Sequence, residues 1–224
     1  MYTYEYPHPA VTVDCVIFGY AGNKLNVLLI KRKGEPYRSH LALPGGYLDL
    51  TETCEAAAAR ELKEETGLET SLTQLHTFSD VHRDPRERTI SVTYYGEVSM
   101  KEVDIVAGDD AEEVDWFPVY NLPEKIAFDH KKIIEHAAAY LREKTRTGPV
   151  GLQLLTEYFR FNDVHKMYEA ILNRKLNRIL FKNKIDRMGH LLKTEENVTR
   201  NPILKFNTEL YNKLLEEGYH LTLD

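Results

Sequence analysis

The sequence predicts an α/β domain followed by a smaller, mainly helical one. Over the first 144 residues, short β-branched runs alternate with two helical stretches rich in alanine. Residues 145–151, TRTGPVG, then place two glycines and a proline in a short span, the composition of a linker. Beyond it the apolar spacing turns helical and the charge changes sign. Residues 1–149 carry 17 Lys and Arg against 25 Asp and Glu, a balance of −8, whereas residues 150–224 carry 12 against 10, or +2. At 224 residues the chain is long for one domain and comfortable for two, divided as 1–147 and 148–224.

The elements follow in order. Residues 11–18 and 25–31 are apolar and β-branched, and the stretch GYAGN at 19–23 reads as the turn between two strands of a hairpin. A polar loop at 34–40 leads to Leu43-Pro44-Gly45-Gly46, a chain-reversal signal. Residues 53–66 have helical composition, and Gly67 stands where a glycine stops a helix. Strand-like patches recur at 71–78, 89–98 and 114–119, and 129–144 reads as a second helix. After the linker, 163–172 follows Asn162 as its N-cap, with Val164, Met167, Tyr168, Ile171 and Leu172 at helical spacing. A further amphipathic run covers 176–188 and ends near Gly189. Residues 191–193 and 203–206 then flank a polar stretch and pair as a hairpin.

Several classes drop out. The run Val27-Leu28-Leu29-Ile30 is far short of the ~20 apolar residues a spanning helix needs, so no membrane association is expected. The opening MYTYEYPHPA has neither a basic nor an apolar signal region. Two cysteines, Cys15 and Cys54, supply neither a disulfide framework nor, alone, a four-ligand zinc site. A cytoplasmic protein is the expectation.

The segment GYLDLTETCEAAAARELKEETGL, running from Gly46, carries the chemistry. On a helix, Glu64 lies about 60° to one side of Glu61 and Glu65 about 40° to the other, so three carboxylates crowd one face. Alone, such like charges destabilise a helix by a few tenths of a kcal/mol per pair. A hard cation such as Mg²⁺ or Mn²⁺, which takes oxygen ligands, reverses that sign. The alanines at 56–59 let the helix sit close to a sheet, Leu62 anchors it, and Arg60 pairs with Glu52 to fix the entry loop. A merely solvated charged helix explains neither the glycines nor the arginine.

These residues fill every constrained position of the Nudix box, G-x5-E-x7-R-E-U-x-E-E-x-G-U with U aliphatic: Gly46, Glu52, Arg60, Glu61, Leu62, Glu64, Glu65, Gly67 and Leu68. Residues 6–144 resemble the Nudix hydrolase family. The resemblance implies an α/β/α sandwich that cleaves a diphosphate linking a nucleoside to a second group. It implies catalytic roles for Glu52, Arg60, Glu61, Glu64 and Glu65, with Mg²⁺ or Mn²⁺ held by the three last-named glutamates and the backbone carbonyl of Gly45 or Gly46. An acid before Trp116 often completes such sites. Asp109, Asp110, Glu112 and Glu113 are the candidates, with Asp110 counted among the ligand-binding residues. The run His82-Arg83-Asp84-Pro85-Arg86-Glu87-Arg88 sets three arginines beside a strand. As a phosphate clamp, Arg83, Arg86 and Arg88 resemble the pattern of Nudix proteins that handle ADP-ribose and of Nudix-type regulators. The alternative is a solvated turn.

Within residues 174–187 six basic residues face one acid, Asp186, a local +5. Two helices joined at 173–175 and followed by a hairpin have the order of a winged helix-turn-helix. Its second helix carries Arg178, Lys182, Lys184 and Arg187, and Arg200 lies near the tip of a wing at 194–202. The whole resembles Nudix-related transcriptional regulators of the NrtR type. That implies double-stranded DNA and an ADP-ribose-like nucleotide as partners. A homodimer is expected as well, since paired winged helices read paired half-sites, and the arm of Tyr2, Tyr4 and Tyr6 is a candidate to pack on a neighbour. Regulators of this type often have an eroded box; here it is intact, which favours hydrolysis. Two other readings compete: a metabolic Nudix pyrophosphatase whose second domain only dimerises, and a non-hydrolysing sensor of a sugar or sugar phosphate. The first of these predicts no salt-sensitive DNA binding, and the second no metal-dependent turnover.

Overall fold

The computed structural model describes residues 5–108, 111–148, 150–186, 192–194 and 202–217. The chain forms two compact units. One holds residues 1–19, 26–97 and 103–137; the other holds 20–25, 98–102 and 138–224.

The first unit is built on a sheet of strands in the order β3-β2-β1-β6-β5, with β4 added to β1 and β7 to β2. These are β1 (Ala10–Ala21), β2 (Lys24–Arg32), β3 (Leu41–Ala42), β4 (Gly45–Tyr47), β5 (Thr73–Phe78), β6 (Thr89–Val98) and β7 (Ala111–Pro118). Strand β1 runs into GYAGN as far as Ala21, and β2 begins at Lys24, immediately after it. Gly22 and Asn23 alone make the turn, both with positive φ, +57° and +58°, as a two-residue hairpin turn requires. Val13, Cys15, Val16, Ile17 and Phe18 are fully buried, so both faces of β1 are covered and its apolar residues do not alternate with exposed ones.

Successive side chains of a strand leave opposite faces. The Cys15 thiol donates to the carbonyl of Ala58 in α1 (Cys54–Thr66) at 3.4 Å. Its neighbour Asp14 faces His130, the first residue of α2 (His130–Thr147), at 3.3 Å. The sheet therefore lies between α1 and the start of α2, the expected α/β/α sandwich. Helix α1 starts one residue later than expected, with Thr53 as its cap, whose Oγ1 accepts the Ala56 N–H, and ends as expected at Gly67, which at φ +70° donates to the Lys63 carbonyl. Ala57 and Ala58 are wholly buried and bring its backbone against β1.

Helix α2 runs three residues into the expected linker. Thr145 is buried and its hydroxyl donates back to the Arg142 carbonyl at 2.6 Å, so Thr145 continues the helix despite the composition of the segment it opens.

In the second unit, α3 (Phe161–Leu172) starts earlier than expected. Arg160, not Asn162, is the N-cap: the Asp163 carboxylate accepts the Arg160 N–H at 2.8 Å. Asn162 instead accepts from Arg178 Nη1 at 2.9 Å. Helix α4 (Arg178–Asp186) starts later, because the Glu169 carboxylate takes the Leu176 N–H and the Lys175 ammonium and holds both in the connection. Asn177 caps it, accepting from the N–H groups of Ile179 and Leu180. Val164, Met167, Tyr168, Ile171, Phe181 and Ile185 form the buried seam. Strands β9 (Leu192–Thr194) and β10 (Ile203–Phe206) pair antiparallel as expected. Two elements were not anticipated. Strand β8 (Phe159–Arg160), which pairs with β10, is too short for any periodicity. Helix α5 (Thr208–Glu216) opens on Asn207, whose side chain accepts the Leu210 N–H. Gly189 and most of the expected wing lie outside the described residues.

Candidate functional site

The Gly45-Gly46 turn sits between β1 and α1; backbone bars a side chain at Gly45, and at Gly46 one would displace the Glu61 carboxylate. A Cβ on Gly45 would stand 2.1 Å from the Val13 carbonyl oxygen, and one on Gly46 2.3 Å from Glu61 Oε1. The Gly45 N–H donates to Glu65 Oε2 at 2.8 Å, so the turn is fastened to the acidic helix.

Arg60 organises the carboxylates. Its guanidinium grips Glu52 through two bonds, Nη2 to Oε1 at 2.6 Å and Nε to Oε2 at 3.1 Å. Glu52 Oε1 also accepts the Asp49 N–H, closing the entry loop as expected. Arg60 Nη1 lies 2.8 Å from Glu61 Oε1 and 3.1 Å from Glu64 Oε2. Burial pushes the Glu61 carboxyl up from its usual range, with Arg60 opposing the shift. Among the described residues no three acidic, His or Cys side chains already converge on one point. Glu61 and Glu64 nevertheless turn an oxygen each onto a single cationic group, the guanidinium. The donor set is oxygen only, with Glu64 largely exposed and free to reorient. Such a set fits a hard divalent cation shared by Glu61, Glu64, Glu65 and the glycine backbone.

Gly45, Gly46, Arg60, Glu61 and Glu65 line a cavity of about 560 Å³; Glu52 and Glu64 do not line it, and basic and aromatic side chains contribute much of the remaining wall. The Arg86 guanidinium lies 5.2 Å from the centre of the Tyr47 ring and 5.6 Å from that of Phe128, and Arg32 lies 4.9 Å from the same Phe128 ring. Planar cations stacked on rings suit a ligand that carries both phosphate and a flat base.

The three arginines expected to act alike separate. Arg83 lines the cavity but is not exposed: its side chain is 4% accessible, bonded twice to Asp129 at 2.8 and 3.1 Å and once to Asp14 at 3.3 Å. Arg86 lines the cavity from an exposed position, oriented by a two-pronged bond to Asp84. Arg88 does not line it; its guanidinium donates to the carbonyls of Asp80 and Thr89. Glu112 and Glu113 are exposed on β7 beside Lys31, away from the cavity lining. Asp109 and Asp110 lie outside the described residues. Sequence reasoning missed Arg32, Tyr47, Phe128, Asp14 and His130. Only Arg32, in the basic run Lys31-Arg32-Lys33, carried a readable signal.

In the second unit, Arg178 stacks on Phe161 at 5.3 Å and binds Asn162. Exposed Lys182 pairs with Asp186 one turn on, at 2.6 Å, and Lys184 shares their helix. Arg187 and Arg200 lie outside the described residues.

Comparison with known proteins places both units. Residues 8–137 match the NUDIX domain family, and residues 151–202 match the NrtR DNA-binding winged helix domain. The chain is 31% identical over 196 residues to the ADPR responsive transcriptional repressor NtrR of Acinetobacter baylyi, spanning 86% of this chain and 78% of that protein. It is 46% identical over 140 residues to an ADP-ribose pyrophosphatase of Methanocaldococcus jannaschii, spanning 62% and 77%. Among solved structures, Shewanella oneidensis NrtR complexed with a 27mer DNA aligns with a TM-score of 0.73 at 28% identity, covering 88% of this chain and 92% of that one.

Proposed function

We propose that this chain, which belongs to the NUDIX domain family and carries the NrtR winged helix domain behind it, is a transcriptional regulator. Its first unit binds an ADP-ribose-like nucleotide and hydrolyses it with a divalent metal, and its winged helix binds duplex DNA under control of that ligand. The observation that carries the nucleotide half is the single cavity that joins an oxygen-rich acidic helix to stacked guanidinium and aromatic groups. Its likeness to an ADPR-responsive repressor and to an ADP-ribose pyrophosphatase supports both halves of the activity.

Glu61, Glu64 and Glu65 would hold Mg²⁺ or Mn²⁺ at the glycine turn, as would the carbonyl of Gly45 or Gly46. When bound, such an ion neutralises diphosphate charge and acidifies an attacking water. The protein's own part is placement. Arg60, clamped by Glu52, keeps the carboxylates together before a ligand arrives, and Gly45 fastens the turn to Glu65. Arg86 and Arg32 present cations to the phosphates from the opposite wall. Arg178, Lys182, Lys184, Arg187 and Arg200 supply the phosphate-facing charge of the winged helix, and a homodimer presents it twice.

The test is Glu64→Gln. Glu64 is exposed, so its replacement leaves the melting temperature unchanged. ADP-ribose cleavage in Mg²⁺, followed as AMP and ribose 5-phosphate, falls ~10²-fold or more. An unchanged rate removes the acidic helix from the reaction. No cleavage by the unaltered chain under any divalent ion leaves the sensor reading.

A further inference from the structure

We propose that His130, as the neutral imidazole protonated on Nε2, is the positioning residue that sets the glycine turn over the carboxylates. The Leu43 N–H donates to His130 Nδ1 at 2.8 Å, which requires a lone pair there. The proton therefore sits on Nε2, which faces Asp14 Oδ1 at 3.3 Å. Asp14 is held in turn: its other oxygen accepts from the Ser91 hydroxyl and from Arg83, and Arg83 is locked by Asp129. Strand β1, strand β6 and the 82–88 loop thus fix one ring, and that ring fixes the residue that opens the turn.

The turn is held at three successive points. Leu43 is fastened by His130, the Pro44 carbonyl accepts the Cys15 N–H at 2.8 Å, and the Gly45 N–H reaches Glu65. Strand β1 holds the glycines from one side, pairing Asp14 with Gly45 and Val13 with Gly46, and Leu43 is the anchor that leads the chain into that pairing. Burial disfavours a charged imidazole, Arg83 and Arg32 disfavour it further, and Asp14 and Asp129 oppose them without prevailing. The ring therefore remains an acceptor for Leu43 near neutral pH.

The inference rests on the reading that this cavity binds and cleaves a nucleotide, and two variants separate them. In His130→Asn the side-chain carbonyl falls near the place of Nδ1 and still accepts from Leu43. In His130→Gln the amide reaches the place of Nε2 and leaves Leu43 without an acceptor. Both lose the ring, so a merely structural role moves both alike. We expect His130→Asn to keep kcat for ADP-ribose within about 3-fold and His130→Gln to lose about 10-fold or more, with KM changed less than kcat. The second readout needs no turnover: in ¹⁵N-glycine spectra the Gly45 and Gly46 amides shift in His130→Gln and stay near their original positions in His130→Asn. Equal kcat loss in the two variants, or equal glycine shifts, overturns the proposal. Where the unaltered chain cleaves nothing, the hydrolytic reading fails by itself, and the glycine spectra still decide for or against His130.

Discussion

Replacing Arg83 by Ala tests the buried charge cluster beneath the cavity. The side chains of Arg83 and Asp14 are 4% and 8% accessible, and that of Asp129 is 13% accessible. Removal of the guanidinium strips two bonds from Asp129 and one from Asp14, which keeps the Ser91 hydroxyl and the His130 N–H. Breaking a buried pair by deleting one partner costs about 3–5 kcal/mol. Because Asp14 retains two donors and Asp129 has some access to water, the low end, about 3 kcal/mol, applies. For a chain of this size that lowers the melting temperature by about 6–12 °C. Urea unfolding followed by Trp116 is the assay. Trp116 is the one tryptophan in the sequence and lies on β7, paired with β2, so its fluorescence reports the first unit. With typical slopes, the midpoint falls by about 1–3 M. The double variant Arg83→Ala/Asp14→Asn, which leaves no uncompensated charge on Asp14, is more stable than additivity allows. A single variant that melts within about 1 °C of the unaltered chain refutes the argument that these charges are desolvated.

Two further outcomes follow. Arg86→Ala costs less stability than Arg83→Ala, because Asp84 keeps the backbone N–H of residue 86; it weakens ADP-ribose binding by about 10- to 100-fold in calorimetry, the worth of one charge-assisted contact. DNA affinity falls with salt at a log–log slope of about −5 to −7 if each protomer of a dimer neutralises three or four phosphates, and Lys182→Ala reduces that slope by about 1–2 while leaving melting unchanged. A slope near zero, or one unaltered by Lys182→Ala, removes α4 from the DNA contact.

The acidic helix was legible to within one residue, because the alanine run and the glycine stop are local signals; Thr53, read as its first residue, is instead its cap. The helix-turn-helix was legible in kind but not in bounds. Side chains distant in sequence decided those bounds, as when Glu169 held Leu176 out of α4. Linker composition misled for the same reason, since Thr145 gains by burial what its sequence neighbours suggest it should lose. The arginine loop shows the limit most clearly. Arg83, Arg86 and Arg88 look equivalent in sequence, yet Asp14 and Asp129, 69 and 46 positions away from Arg83, turn it into a buried structural charge. His130 left no trace beyond opening a helix, because its partners come from two other segments of the chain.

If nucleotide binding in the first unit governs DNA binding by the second, as proposed, the two ligands must be thermodynamically linked. With Glu64→Gln to preserve the ligand, the affinity for a duplex from the region upstream of its own gene is measured by fluorescence anisotropy, with and without saturating ADP-ribose. The affinity for ADP-ribose is then measured with and without that duplex. The two ratios are expected to be equal and to differ from one, in the range of about 5- to 150-fold typical of coupled sites. DNA affinity that ADP-ribose leaves unchanged, in a chain that binds both, contradicts it.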